Sequence, residues 1–311
     1  MQPMTPPDPL PRVSVVIPTR DRPSLLRRAI QSVVDQRYPG EIECVAVFDQ
    51  SEPEDVEVQL PERRSLRAIV NDRTPGLAGA RNAGVLCSSG ELVAFCDDDD
   101  EWLQGKLAAQ VEIFQTNPQA AIVACGILIR YGDREVRRLP PAGSVVLEQL
   151  LRDRLMEINP CTILVRRGAM LGPIGLVDED IPGGYCEDYE WLLRAATVTP
   201  IMIVSRPLVR INWHTASFFA DRWRTIIQAL VYLLDKHPEL GRNPAGRARI
   251  EGQIAFAHAA LGEGGAARQW AAHGLRANWR DPRCYAALAV STGLISAERV
   301  VHLAHSIGRG V

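Results

Sequence analysis

The sequence predicts an α/β protein: a mostly parallel sheet flanked by helices, with an α-helical appendage at the C-terminal end. Three observations carry that expectation. Short β-branched runs alternate with amphipathic stretches at βαβ spacing through roughly the first 200 residues. Polar residues follow the end of each early run, where sheets of this kind bind ligands. From about Phe218 the pattern turns Ala-rich and almost wholly helical. The expected organisation is a Pro-rich disordered leader over 1–11, an α/β domain over 12–220 and a helical region over 221–311.

Taken in order, Val13–Ile17 is apolar and β-branched, bounded by Pro18, and reads as a buried strand. Leu25, Leu26, Ala29, Ile30, Val33 and Val34 line one helical face, with Asp21 and Pro23 suited to its start. Ile42–Phe48 and Leu66–Val70 read as further strands, Ala78–Val85 as a helix and Leu92–Cys96 as a fourth strand. A helix is expected over Leu103–Gln115, ending near Asn117-Pro118. Strands are expected at Ala121–Arg130 and Cys161–Val165, with a helix around Val145–Arg154 between them. Gly172–Cys186 reads as a Gly/Pro/acidic loop, Glu187–Thr197 as a helix, and Ile201–Val204 and Leu208–Ile211 as closing strands.

Composition excludes some classes and leaves others open. The apolar share of 46% and charged share of 23% are those of an ordinary globular chain. A net charge of −2 gives no reason to expect nucleic acid. That charge is uneven. From Asp221 onward 12 Lys/Arg face 7 Asp/Glu, a local excess of +5 that leaves −7 on the first 220 residues. An Arg-rich tail suits either a solvated face or an anionic surface. The 7 cysteines include no CxxC pair, which fits reduced, buried thiols of a cytoplasmic protein. No basic-then-apolar signal and no run of about 18 apolar residues is found.

The most informative segment is Asp97–Asp100, directly after an apolar run and before Trp102. Four adjacent carboxylates repel one another and lose solvation when crowded. A cation relieves both costs, and hard oxygen donors suit Mg²⁺ or Mn²⁺. A solvated acidic turn is the alternative. Pro18-Thr19-Arg20, Asp49-Gln50-Ser51 and Asn71-Asp72 follow the first three strands, so four strand ends carry polar groups to one rim. That is the layout expected of a nucleotide-sugar pocket. Arg81 and Asn82 lie in the helix-opening segment from Pro75-Gly76, where a helix N-terminus and a guanidinium favour phosphate. Arg81 is equally suited to pairing with the acidic cluster. Trp102 reads either as the floor of a sugar site or as core.

With those residues in hand, the chain resembles the bacterial inverting family-2 glycosyltransferases of GT-A fold. The resemblance covers roughly residues 12–220. It rests on Val-Val-Ile-Pro-Thr-Arg-Asp-Arg (15–22), Val-Phe-Asp-Gln-Ser (47–51), Gly-Leu-Ala-Gly-Ala-Arg-Asn-Ala-Gly (76–84), Phe-Cys-Asp-Asp-Asp-Asp-Glu-Trp (95–102) and Glu-Asp-Tyr-Glu-Trp-Leu-Leu-Arg (187–194). It implies that Pro18, Thr19 and Arg20 line the nucleotide. It implies that Asp49 accepts from the base, and a carboxylate there favours uracil, whose imide N–H can donate. Gln50 stands where the family more often carries a second acid.

The resemblance makes Asp99 a metal ligand, as the last acid of the Asp-x-Asp motif. Asp97 or Asp98 reaches the ribose or the ion's water shell. His214 is a second candidate ligand or a structural histidine. One of Glu187 and Asp188 becomes the base that deprotonates the acceptor hydroxyl. Neighbouring helix residues point about 100° apart, so only one faces the acceptor; Asp188 is taken as base and Glu187 as its support.

The expected activity is metal-dependent (Mn²⁺ or Mg²⁺) transfer of a sugar, with inversion, from a UDP-linked donor to a hydroxyl acceptor on a glycan, a lipid-linked substrate or a small molecule. A catalytically silent nucleotide-sugar-binding protein is the alternative from another class. A nucleotidyltransferase would want a Gly-rich loop after the first strand, and Pro18–Arg22 has none. Ala255–Trp270 and Ala271–Leu288 resemble a tetratricopeptide-like hairpin. One such unit cannot bury its own face, so it packs within the protein, forms a homodimer, or rests peripherally on the inner face of the membrane.

Overall fold

The computed structural model describes residues 10–132, 134–212 and 222–306. Of the expected leader it describes only Leu10 and Pro11; residues 1–9 and His214 lie outside the described residues. Along the chain run β1 (Val13–Thr19), α1 (Pro23–Val34), β2 (Ile42–Phe48), β3 (Arg64–Val70), α2 (Leu77–Cys87), β4 (Leu92–Phe95), β5 (Glu101–Trp102) and α3 (Lys106–Thr116). Then follow β6 (Ile122–Tyr131), β7 (Arg134–Arg138), β8 (Ser144–Val145), α4 (Leu147–Arg152), β9 (Leu164–Arg166), α5 (Arg167–Leu171), α6 (Glu187–Val198) and β10 (Ile201–Asn212). Helices α7 (Trp223–Lys236), α8 (Pro244–Ala260), α9 (Gly264–Ala277), α10 (Pro282–Ser291) and α11 (Ala297–Ser306) complete it.

The strands form one mixed sheet in the order β3-β2-β1-β4-β9-β6-β10-β5, with β7 on β6 and β8 on β10. β1, β2 and β4 are buried along their whole length, as expected of near-continuous apolar runs in a parallel array. The parallel run β3-β2-β1-β4 is in register from its first residues: Val13 lies opposite both Ile42 and Leu92. That register carries the C-terminal ends of β1, β2 and β4 to one edge. β9 is antiparallel to β4 and to β6 and joins this run to the second half of the sheet.

Two compact units emerge among the described residues. The first holds the residues up to Val146, Leu155–Glu179 and Trp191–Asn212. The second holds Leu147–Arg154, Asp180–Glu190 and the residues from Arg222 on. Buried strand and α1/α3 side chains such as Val15, Ile17, Leu26, Ile30 and Leu107 form the core of the first. Trp102 belongs to it, only 4% exposed, with the Lys106 Nζ 3.8 Å from its ring centroid. In the second, Ala255, Phe256, Ala271, Cys284 and Ala287 form a small-residue core among α8, α9 and α10.

Several local expectations are corrected. Arg22, not Asp21, occupies the N-cap of α1, with Pro23 at the first helical position. Asp21 is left-handed (φ 53°), which a short polar side chain tolerates. Helix α3 starts three residues later than expected, because residues 101–103 are held extended: Glu101 and Trp102 pair with β10 and the Leu103 N–H bonds the Leu208 carbonyl. Residues 160–162 form a 3₁₀ turn capped by Asn159, so strand β9 begins only at Leu164. The two closing strands are one, β10, with register shifts on either side of Pro207, which cannot donate to the ladder. The two tail spans break at Gly262 (φ 76°) and at Asn278–Asp281, giving three packed helices rather than two.

Helix α2 lies close to β1 at Gly84, where a Cβ would overlap the Val16 side chain. Gly84→Ala is therefore expected to cost about 1–3 kcal/mol by overpacking, read as a lower denaturation midpoint with an unchanged m-value.

Candidate functional site: an acidic turn at the sheet edge

Three adjacent strand ends meet in backbone contact. The Asp49 N–H, just past β2, bonds the Thr19 carbonyl at the end of β1 (2.9 Å), and the Asn71 N–H past β3 bonds the Phe48 carbonyl (2.8 Å). Past β4, the Cys96 N–H bonds the Val16 carbonyl (3.1 Å), and the chain then turns through Asp97–Asp100, closed by the Asp100 N–H to the Asp97 carbonyl (3.1 Å). The expected polar rim is thus assembled from four strands.

Each carboxylate of the turn has a partner from another element. Thr19 Oγ1 donates to Asp98 Oδ2 (2.8 Å). Arg22 Nη1 reaches Asp98 Oδ1 (3.2 Å) and Asp99 Oδ2 (3.3 Å). Arg81, only 3% exposed, donates to Asp97 Oδ1 (2.9 Å). Asp100 Oδ1 accepts from the Asn212 N–H (3.1 Å), and Asn212 Nδ2 donates to the Asp99 carbonyl (2.6 Å). Burial pushes the Asp98 carboxyl up, partly offset by the Thr19 bond, and Asp99 adds to the rise. Asp100 is raised well above the usual range by burial and then by Asp97 and Asp99. The crowding foreseen from four adjacent acids is therefore real and uneven.

Asp49 stands beside the turn rather than in it. Asn71 Nδ2 (2.7 Å) and the Gly76 N–H (3.0 Å) donate to its Oδ1, and Gln50 Nε2 (2.9 Å) to its Oδ2. Burial opposes its charge, yet those bonds hold its pKa below the usual value. Gly76, at the N-cap of α2 with φ 119°, needs the freedom that only glycine has. Pro18 is buried within β1 opposite Val47, and Arg20 is exposed with Asp21 3.9 Å away. Asn82 sits apart from the acids. Its amide binds the Val177 backbone and Glu179 (2.6 Å), while Arg73 (2.6 Å) holds the same carboxylate.

The donor set decides which cation could be held here. Ligand atoms of Asp97, Asp100 and Cys161 lie within 4.8 Å of one another. That trio suits a hard cation poorly, because burial keeps the Cys161 thiol well above its usual range and hence protonated. Asp97 and Asp99 keep 31% and 25% of their side chains exposed and offer hard oxygen donors, which fit Mg²⁺ or Mn²⁺.

In the second unit, Glu187 and Asp188 open α6 among three acids of its first turn. Both oxygens of Asp188 accept from Arg154 Nη2 (2.8 and 3.1 Å), and Arg154 Nη1 lies 3.2 Å from Cys186 Sγ. Burial alone would lower the Arg154 pKa, but the Asp188 charge outweighs it and holds the guanidinium charged. Glu187 is buried at the first helical position. One turn on, Glu190 is fully buried and meets Lys236 Nζ (2.9 Å) and His237 Nε2 (3.0 Å). Sequence reasoning missed Arg22, Arg154, Cys161 and Asn212 as members of these clusters. Arg22 alone left a signal, as a third polar residue in the β1–α1 turn.

Residues 14–170, half of the chain, match the family model "Glycosyl transferase family 2", and the chain belongs to that family, with the GT-A fold. A Nostoc protein described as the uncharacterized glycosyltransferase alr2836 is 34% identical over 143 residues, 45% of this chain and 44% of that one. The Escherichia coli UDP-Glc:alpha-D-GlcNAc-diphosphoundecaprenol beta-1,3-glucosyltransferase WfgD is 28% identical over 124 residues, 40% of this chain and 46% of its own. The matched segment thus spans less than half the length of either relative. Residues 1–349 of S. aureus TarS, solved with UDP-GlcNAc, superpose with a TM-score of 0.56 at 17% identity, covering 96% of this chain and 92% of that one.

His237 gives the second unit a pH response. Its other ring nitrogen meets Glu239 (2.9 Å), and only the imidazolium can donate at both positions. Burial works against the charged ring, but the bonds to Glu190 and Glu239 outweigh it and raise the pKa above 6.5. The folded state then holds the proton more tightly than the unfolded chain. This stabilisation is complete below pH 6.5 and fades as pH rises through the folded value. His237→Gln is expected to cost about 1–3 kcal/mol at pH 6 and less at pH 8, checked by urea unfolding at both.

Proposed function

We propose that this chain is an inverting, metal-dependent glycosyltransferase that moves a sugar from a UDP-linked donor to a hydroxyl acceptor. The observation that carries it is the rim itself: Thr19, Asp49 and Asp97–Asp99 on adjoining strand ends, with Arg22 and Arg81 among the acids. Asp49, charged and at the end of β2, accepts the uracil imide N–H when Gln50 turns aside. Pro18, Thr19 and Arg20 line the nucleoside beside it. Arg81 trades part of its bond to Asp97 for the diphosphate, and Asp98 takes the ribose.

Asp97 and Asp99, with His214, would hold Mn²⁺ or Mg²⁺, which would supply positive charge against the diphosphate leaving group. Asp188 takes the proton of the acceptor hydroxyl, which attacks the anomeric carbon on the face opposite the departing UDP. Arg154 keeps that carboxylate in one orientation, and Glu187 supports the acceptor. The E. coli relative is named for a diphosphoundecaprenol-linked acceptor, which favours a lipid-linked glycan here and work at the inner membrane surface. Among the described residues no helix is long and apolar enough to cross a membrane. The Arg-rich C-terminal helices would make peripheral contact there.

A thermal-shift screen of nucleotide sugars with and without Mn²⁺ tests the donor. A UDP-sugar at 100 times its Kd is expected to add about 2.7 kcal/mol, and Asp99→Asn to abolish the part that depends on Mn²⁺. Stabilisation by no UDP-linked donor would refute the assignment. For the base, Asp188→Asn is expected to leave donor stabilisation intact while kcat falls about 10²–10⁴-fold. A larger loss in Glu187→Gln would transfer the role to Glu187.

A further inference from the structure

Cys161, fully buried, adjoins the acidic turn from the segment that leads into β9. Its sulfur accepts the Asp97 N–H at 3.1 Å and donates to Asp100 Oδ2 at 3.3 Å. One thiol therefore touches the first and last acids of the turn. The other Asp100 oxygen is taken by the Asn212 N–H at 3.1 Å, so protein groups engage both oxygens of that carboxylate. Asp100 is 6% exposed, whereas the Asp97 and Asp99 side chains remain partly accessible.

Cys161 is itself firmly placed. Asn159 Oδ1 accepts its N–H (3.1 Å), and Thr162 Oγ1 closes the reciprocal bond with the Asn159 N–H (3.2 Å). The Thr162 carbonyl is held in turn by Gln110 Nε2 (2.8 Å). This chain of contacts runs from the interior of α3 to the backbone of Asp97. Nothing in it depends on a ligand.

We propose that Cys161 is a positioning residue for the donor site: it keeps Asp100 turned inward and fixes the Asp97 backbone, so that Asp97 and Asp99 meet the cation and the diphosphate in one geometry. The inference rests on the donor reading of the same turn. Serine can make both contacts and alanine neither.

The test uses the full chain as wild type, Cys161→Ser and Cys161→Ala. Mn²⁺ binding in the presence of UDP is followed by the electron paramagnetic resonance of free Mn²⁺, with thermal midpoints taken without ligand. Outer partners of metal ligands are typically worth 10–100-fold in affinity, so Cys161→Ala is expected to weaken Mn²⁺ by at least about tenfold, and Cys161→Ser to recover most of it. A purely structural role would lower thermal midpoints without separating serine from alanine in Mn²⁺ affinity. Equal affinity in all three proteins, or serine as weak as alanine, overturns the proposal while the donor reading stands. If the wild type itself takes up no Mn²⁺ with UDP, both fall together.

Discussion

Mutual repulsion among Asp97–Asp100 is the constraint on which the first unit is organised. Four like charges at the end of a buried strand are tolerable only where opposite charge and hydrogen-bond donors converge on them. The chain supplies these from segments far apart in sequence: Thr19 at the end of β1 and Arg22 just beyond it, Arg81 on α2, Cys161 before β9 and Asn212 at the end of β10. Each supplier sits where it does because of the sheet. β1 and β4 are parallel neighbours in register, so Thr19 and Asp98 leave the sheet side by side. An antiparallel pairing of those strands would send the two ends to opposite edges and leave the acids uncompensated.

The same logic governs the polar groups at the other end of these strands. Glu43 and Ser14, opposite each other in β2 and β1, are both buried, and Ser14 Oγ and the Ser89 N–H donate to the carboxylate (2.6 and 2.9 Å). Burial alone would raise the Glu43 pKa, yet these bonds hold it below the usual value. Lys106 is the counterpart in the core beside the turn. Burial pushes its pKa down to about 8, and Gln110 Oε1 (2.9 Å) and the Trp102 ring are its compensation. Glu43 and Lys106 are each buried with partners, and the acidic turn is the most crowded case of the same compensation.

Much of the sheet was legible because its signal is local. The run Ile42–Phe48 is apolar apart from Glu43 and became β2 with those same bounds. The polar residues just past each run marked the rim without any knowledge of pairing. What could not be read depends on distance. The Arg154–Asp188 pair joins residues 34 apart through no periodic pattern. The late start of α3 follows from pairing with a strand met much later in the chain, which overrides local propensity, and the late start of β9 follows from the 3₁₀ turn that Asn159 caps. Trp102 was ambiguous because an aromatic after an acidic turn suits a sugar or a core equally; its contact with Lys106 decides for the core.

The Arg154–Asp188 pair carries a consequence for the proposed chemistry. A guanidinium has five N–H donors and no acceptor, so a proton taken up by Asp188 cannot pass to Arg154. It has to leave through the part of the carboxylate that still meets solvent, and that part is 13% of the side chain. With both oxygens already accepting from Arg154, the carboxylate has little room to turn. Removing the arginine would leave the acid present but free to rotate, and a displacement of about 1 Å at a reacting group can cost 10²-fold in rate. On this reading the helix start supplies the charge and a residue from before β9 supplies the aim, a division that only the folded chain reveals.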